Sequence, residues 1–277
     1  MSEIRSSTIV GFIGLGSQGA PIARRIVDGG YPLVLWARRP ASLEPFAGTG
    51  AQTAASIANV GARSDHVGIC VVDDVDTREV CDALLPAMRP GSRVAIHSTV
   101  LPETCRDLAR QAQAHGVTLI DAPVSGGAPA AEAGMLTVMV GGDESSLAQA
   151  RPIFETFGKL IILLGGVGAG QHAKLINNNL LTANMAIARH AMEIGGKLGL
   201  DLDALVELIK ASSGRSMGFE VYARMMRDLS TFKHGGALLD KDLGLLGQLM
   251  KDDSDYAAIR GLAGPFLKLV AESPPSS

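Results

Sequence analysis

Lys174 and Asn178 stand four residues apart in a stretch dominated by alanine, leucine and isoleucine, and Asn177 lies three residues after the lysine. At helical spacing Lys174 and Asn178 project from one face, so a cation and an amide share it. A lysine beside a reacting oxygen can act as general acid, giving its proton to a carbonyl. Its neutral amine can take a proton back from a hydroxyl. Asn178 could then hold the same oxygen or orient the amine. The competing reading is a solvated helix face, and the helix alone does not decide.

A second chemistry is anion binding. Gly14-Leu15-Gly16-Ser17-Gln18-Gly19 follows a β-branched run over 8–13 and precedes a stretch of helical spacing over 20–27. In that context Gly14 permits a tight turn, Gly16 lets backbone approach a pyrophosphate, and Gly19 lets the helix pack on the strand. The helix N-terminus favours the anion through its N–H groups and dipole. The six residues from Gly14 to Gly19 are therefore candidate dinucleotide contacts. The second strand, 33–37, ends in Arg38-Arg39-Pro40, with no carboxylate before Glu44. An NAD site usually places an acid there for the ribose 2′-hydroxyl. A guanidinium instead binds a 2′-phosphate through paired charge-assisted hydrogen bonds. The expectation is NADP(H) in preference to NAD(H), with Arg38 as main contact; the alternative is two solvated arginines at a strand end.

The loop Asp121-Ala122-Pro123-Val124-Ser125-Gly126-Gly127 offers a third element. Ser125 brings a hydroxyl, and Gly126 and Gly127 leave backbone N–H groups open to the carboxylate of a small acid. A plain Pro/Gly turn competes with that reading. Lys241-Asp242 could bring a second cation to cofactor or substrate, or could form a surface ion pair. His172, two residues from Lys174, points elsewhere on the helix, and His97 at a strand end reads as structural.

These groups need a frame. Strands and helices alternate through the first half, which predicts a parallel α/β sheet covered on both faces, Rossmann-like in form. Expected strands run over 8–13, 33–37, 66–72, 92–97 and 117–120, with later ones over 135–140 and 160–164 in mixed direction. Expected helices run over 76–87, 103–115 and 144–157. The strand ends share one edge, where ligands of doubly wound sheets bind. Val72, Asp73 and Thr99 stand at that edge. One long helix is predicted over 171–198, followed by helices over 202–211, 217–228, 237–250 and 255–270. The division is thus an NADP-binding Rossmann-like domain over 1–167 and an all-helical substrate and dimerisation domain over 168–277. The first turns of the long helix are expected to face the nicotinamide. The apolar helical half predicts a homodimer or homotetramer.

Composition narrows the class. With 277 residues, 47% hydrophobic, and a net charge of −3, the chain is neither disordered nor a nucleic-acid binder. Cys70, Cys81 and Cys105 lack metal-ligand spacing and read as buried small residues of a reducing compartment. Met1 to Arg5 leads into the first strand with no room for a signal peptide, and no stretch is long enough to span a bilayer. The expectation is a soluble cytoplasmic protein without a metal site.

Four segments together resemble the signatures of the β-hydroxyacid dehydrogenases, a family that includes 3-hydroxyisobutyrate dehydrogenase and tartronate semialdehyde reductase. They are Gly11-Phe12-Ile13-Gly14-Leu15-Gly16, Asp121 to Gly127, Gly168-Ala169-Gly170 followed by Lys174-Leu175-Ile176-Asn177-Asn178, and Lys241-Asp242-Leu243. The resemblance implies a Rossmann domain, a helical dimerisation domain and reversible oxidation of a β-hydroxyacid. It implies Lys174 as the catalytic lysine, and Asn178 with Ser125, Gly126 and Gly127 as substrate contacts. Thr99 and Lys241 match cofactor contacts, and Arg38 matches the arginine of NADP-preferring members. Departures are Gln18 in place of methionine, Asp73-Asp74 in place of an apolar residue and proline, a varied Pro129–Glu132 stretch, and a short C-terminus fraying at 274–277. The acidic pair is expected near the cofactor. The leading expectation is an NADP(H)-dependent oxidoreductase that interconverts a small β-hydroxyacid and its semialdehyde or keto acid. An imine reductase of the same architecture and a non-catalytic dinucleotide-binding scaffold are the alternatives, and relatives of both kinds commonly lack the lysine.

Overall fold

Alternation of strands and helices from Val10 to Asp121 builds a two-faced sheet. The computed structural model describes residues 7–274, so the leader reading at 1–5 and the tail at 275–277 lie outside the described residues. The chain divides into two compact units, Met1–Lys174 and Leu175–Ser277. In the first, strands β1 (Val10–Ile13), β2 (Leu33–Trp36), β3 (Gln52–Thr53), β4 (His66–Ile69), β5 (Arg93–Ile96) and β6 (Thr118–Asp121) form one sheet in the order β3-β2-β1-β4-β5-β6. Every pairing in it is parallel. Successive side chains point to opposite faces. Val10, Phe12, Leu33, Leu35 and Ile120 therefore enter one apolar core, and Ile13, Val34, Val94, Ile96 and Leu119 enter the other. This is the doubly wound order, whose topological switch lies between β1 and β4.

Helices α1 (Gly19–Asp28), α2 (Ile57–Arg63), α3 (Asp74–Leu84), α4 (Pro102–Ala114), α5 (Gly127–Glu132) and α6 (Glu144–Phe154) complete the first unit. A second small sheet has β7 (Val124–Ser125) antiparallel to β8 (Leu136–Val140), and β8 parallel to β9 (Gly158–Leu163). The mixed direction agrees with expectation. The third expected strand, 66–72, stops early at Ile69, because Val71 N–H donates to Ser98 Oγ instead of a neighbouring strand. The helix expected over 76–87 starts at Asp74, where Asp73 caps it by accepting from Asp76 N–H at 2.9 Å.

Helix α7 (Ala169–Lys197) starts in the first unit and continues into the second. It runs through Gly195 and Gly196, as the expected span of 171–198 requires, and the chain leaves it at Gly199 with φ of 75°. Helices α8 (Leu202–Ala211), α9 (Met217–Met225), α10 (Lys233–Leu249) and α11 (Ser254–Glu272) follow. Asp201 caps α8 as expected, accepting from Asp203 and Ala204 N–H. Helix α10 begins four residues ahead of the expected 237, since Gly235 and Gly236 hide the helical spacing. Tyr256 of α11 donates to Leu243 O of α10 at 3.0 Å, fastening that pair. Among the described residues no strand occurs beyond Leu163, and no helix is long and apolar enough to cross a membrane.

Candidate active site

The glycine-rich turn sits where β1 gives way to α1. Gly14 has φ of 98°, and a Cβ there would collide with Cys70 O; a Cβ on Gly19 would collide with Gly14 O. Gly16 differs: a Cβ there would meet open space, so its backbone is bare for a ligand. The N-terminus of α1 has no side-chain cap, and Gln18 Nε2 is buried without a hydrogen-bond partner. Orphan donors at a helix start fit the anionic pyrophosphate of a dinucleotide. Gln18 is thus more than a neutral departure from methionine: it brings an extra donor to that turn.

Lys174 lies one turn and a half into α7, half-buried, and its Nζ donates to Val124 O at 2.7 Å. That carbonyl belongs to the residue before Ser125, so the ammonium is held against the Ser125-Gly126-Gly127 loop. Gly126 and Gly127 have φ of 130° and 70°, and both are exposed. The charge of Lys174 is felt at Cys70: burial pushes the Cys70 thiol up to about 12, and the lysine opposes that rise. Cys81, buried in the sheet core, is likewise pushed up to about 12, so these thiols stay protonated and inert.

Two residues fix this arrangement. Asp121, at the end of β6, is fully buried, and its carboxylate accepts from Gly168 N–H at 2.6 Å and Gln171 N–H at 2.8 Å. It thereby anchors the start of the helix that carries Lys174. Burial raises its pKa to about 6, and the backbone donors at Gly168 and Gln171 oppose the rise. Gln171 in turn clamps the loop after β5. Its Nε2 donates to Ser98 O at 2.9 Å and its Oε1 accepts from Val100 N–H at 3.2 Å, bracketing Thr99. His97, just before that loop, is buried, donates through Nδ1 to Ala122 O at 2.8 Å, and stacks on Phe12. Its role is structural, as its position implied.

The acidic pair after β4 is occupied within the protein. Asp73 caps α3, and Asp74 accepts from Leu101 N–H at 2.9 Å and Thr104 Oγ1 at 2.6 Å. Val72 beside them is exposed. Arg38 is exposed at the end of β2, with Nη2 2.7 Å from Asp76 Oδ1 and 3.8 Å from Glu79 Oε2. The hydrogen bond and charge of Asp76, with smaller help from Glu79 and Asp73, hold its guanidinium above the usual arginine range.

In the second unit, Asn178 follows Lys174 by one turn of α7 and is buried. Its Nδ2 donates to Asp242 Oδ2 at 2.6 Å, and its Oδ1 accepts from Asn177 Nδ2 at 3.2 Å. Asp242 is buried on α10, with Lys241 Nζ 3.4 Å from its Oδ1. The carboxylate therefore sets the orientation of the Asn178 amide, and Lys241 belongs to this buried cluster.

Comparison with known proteins identifies the family. Residues 9–166 match the family model described as the NAD binding domain of 6-phosphogluconate dehydrogenase. Residues 168–258 match the one described as NAD-binding of NADP-dependent 3-hydroxyisobutyrate dehydrogenase. The mitochondrial 3-hydroxyisobutyrate dehydrogenase of Mus musculus is 36% identical over 254 residues, covering 88% of this chain and 76% of the relative. The NAD-dependent L-serine dehydrogenase of Pseudomonas aeruginosa is 35% identical over 283 residues, covering 94% of this chain and 91% of its own. Among solved structures, Mycobacterium tuberculosis 3-hydroxyisobutyrate dehydrogenase with L-serine has a TM-score of 0.77 at 30% identity, covering 96% of this chain and 91% of that one. The chain belongs to the 3-hydroxyisobutyrate dehydrogenase family. This dehydrogenase is an NAD(P)-binding oxidoreductase of the CH–OH class, with the Rossmann-like sheet and helical second half expected of it. Four residues that hold the candidate side chains escaped the sequence reading: Asp76 at Arg38, Asp121 and Gln171 at the start of α7, and Asp242 at Asn178. Asp121 and Asp242 stood inside quoted motifs, while Gln171 had no signal beyond its place one turn before Lys174.

Proposed function

We propose that this dehydrogenase interconverts a small β-hydroxyacid and its semialdehyde or keto acid with NADP(H), using Lys174 as general acid and base. The observation that carries the reading is the Lys174 Nζ hydrogen bond to Val124 O, 2.7 Å long, beside Ser125 and the two glycines. A bound nicotinamide supplies or accepts the hydride. The ammonium carries three N–H donors, one of which Val124 O accepts, and the substrate oxygen is met by this same group. In reduction, Nζ gives its proton to the carbonyl oxygen as negative charge gathers there. In oxidation, the neutral amine takes the proton from the hydroxyl. Ser125 Oγ and the backbone N–H groups of Gly126 and Gly127 hold the substrate carboxylate, or a phosphonate in its place. Asn178, oriented by Asp242, holds the reacting oxygen.

Gly14 to Gly19 cradle the pyrophosphate, and Thr99 and Lys241 add cofactor contacts. Val72 and Asp73 border the cofactor through backbone, since the Asp73 carboxylate is committed to capping α3. Arg38 contacts the 2′-phosphate. Free thiols at Cys70, Cys81 and Cys105 support a reducing, cytoplasmic setting. The deciding measurement is steady-state turnover of 3-hydroxyisobutyrate, L-serine and tartronate semialdehyde, with cyclic imines as controls. Lys174→Ala is expected to lower kcat at least about a hundredfold with cofactor affinity near wild type. Cofactor binding without turnover of any hydroxyacid or semialdehyde, or imine reduction that survives Lys174→Ala, overturns the assignment.

A further inference from the structure

Arg38 is held by acid. Asp76 lies in the first turn of α3 with its side chain 21% exposed and its backbone N–H held by Asp73, whereas the Arg38 side chain is 68% exposed. Glu79, one turn further along α3, adds a second negative charge 3.8 Å from Nη2. The neighbouring carboxylates are spent differently, Asp73 on the helix cap and Asp74 on Leu101 and Thr104. Asp76 spends its charge on the guanidinium.

A 2′-phosphate arriving at Arg38 meets that arrangement as a near-dianion. It must take donor groups from Asp76, and it must sit within a few ångströms of two carboxylates. A 2′-hydroxyl suffers neither penalty. A hydroxyl can even donate to a carboxylate, the contact by which NAD sites recognise the ribose. We infer that Asp76 is a specificity-determining residue, a resident competitor for Arg38 that holds down the chain's preference for the phosphorylated cofactor. This rests on the proposed role of Arg38, and both follow from one exchange: the guanidinium leaves Asp76 when a 2′-phosphate binds. The family itself spans both cofactors, with an NADP-dependent family model and an NAD-dependent serine dehydrogenase both matching this chain.

The test reads binding without turnover. Trp36, the single tryptophan of the chain, ends β2 two residues before Arg38, and its fluorescence is the readout of cofactor binding. NADPH, NADH and the fragment 2′,5′-ADP are titrated against wild type, Asp76→Asn, Arg38→Ala and the double variant, with thermal melting to establish folding. Asp76→Asn is expected to tighten NADPH and 2′,5′-ADP by about fivefold or more, with NADH within about twofold of wild type. The gain is expected to vanish when Arg38 is alanine. If Arg38→Ala weakens NADPH while Asp76→Asn leaves the NADPH-to-NADH ratio unchanged or lowered, the competitor role falls and the Arg38 assignment stands. If Arg38→Ala leaves NADPH binding unchanged, the 2′-phosphate assignment falls, and the competitor role with it.

Discussion

Asp121 and Gln171 are the side chains on which the placement of Lys174 and Thr99 turns. An asparagine at position 121 keeps the size of the carboxylate but sets an NH2 group against a backbone N–H, so it cannot accept from both Gly168 and Gln171. Asp121→Asn is therefore expected to lose about 2 kcal/mol of stability and to lower kcat, measured by urea unfolding and turnover on the same preparation. Gln171→Ala leaves the Asp121 anchor intact, because that bond uses the Gln171 backbone, and removes the clamp on Ser98 and Val100 together with the side-chain hydrogen bond to Cys105. Its expected signature is weaker cofactor binding, by about fivefold, with a melting temperature close to wild type. Equal loss of affinity and stability would mean that the clamp serves folding alone. The lysine, the glycines and the arginine were legible because each has a local pattern: a helical interval, a turn motif, a strand end. Asp121 and Gln171 were not, since their partners lie 50, 71 and 73 residues away, and no spacing along the chain encodes such a contact.

Among the elements, β4 and the end of β5 carry a liability. His66 and His97 are buried among Phe12, Phe154 and Phe157. Burial lowers their pKa values to about 3 and about 4, with Arg93 adding to the fall at His66. The unfolded chain binds these protons below its ordinary histidine value of 6.5 and the folded chain does not, so stability falls as pH drops from 6.5 towards 4. Asp121 acts oppositely. Its raised pKa, about 6 against 3.8, gives stability below 3.8 that is lost as pH climbs through 6. Two imidazoles outweigh one carboxyl, and the net loss on acidification is on the order of 3 kcal/mol. Guanidinium unfolding at pH 7 and pH 4.5 should show it, and His66→Leu should flatten it; equal stability at both pH values would contradict the buried neutral imidazoles. Element types were legible where the hydrophobic period was long. Helix α2 was missed because seven residues containing Gly61 carry little periodicity, although Ser56, which accepts from Asn59 N–H, was a readable start signal. Helix α5 was missed because Gly127-Ala128-Pro129 reads as a turn.

For the whole molecule, the proposal of a homodimer or homotetramer rests on one face of α7. Ile176, Leu180, Ile187 and Ile194 are each more than half exposed, and at 100° per residue they fall within about 40° of one another. The row extends over about 27 Å at about 1.5 Å per residue. Such a stripe in water marks a protein contact. Light scattering at micromolar concentration should give a dimer or larger, and Leu180→Asp with Ile187→Asp should shift it towards monomer. A monomeric wild type would overturn the proposal. This feature was legible as composition, an excess of apolar helix, but which residues stayed outside depended on how α7 packs against its own unit. One further consequence belongs to α7 as a joint. The first family model ends at residue 166, before Gln171 and Lys174, yet the first compact unit ends at Lys174. A fragment severed at that sequence border would keep the glycine turn but release Ser98 and Val100 and lose the proposed proton donor. An exchange of halves at residue 166 would carry the proposed acid–base group, Lys174, away with the helical half and part it from the Val124 carbonyl that holds it.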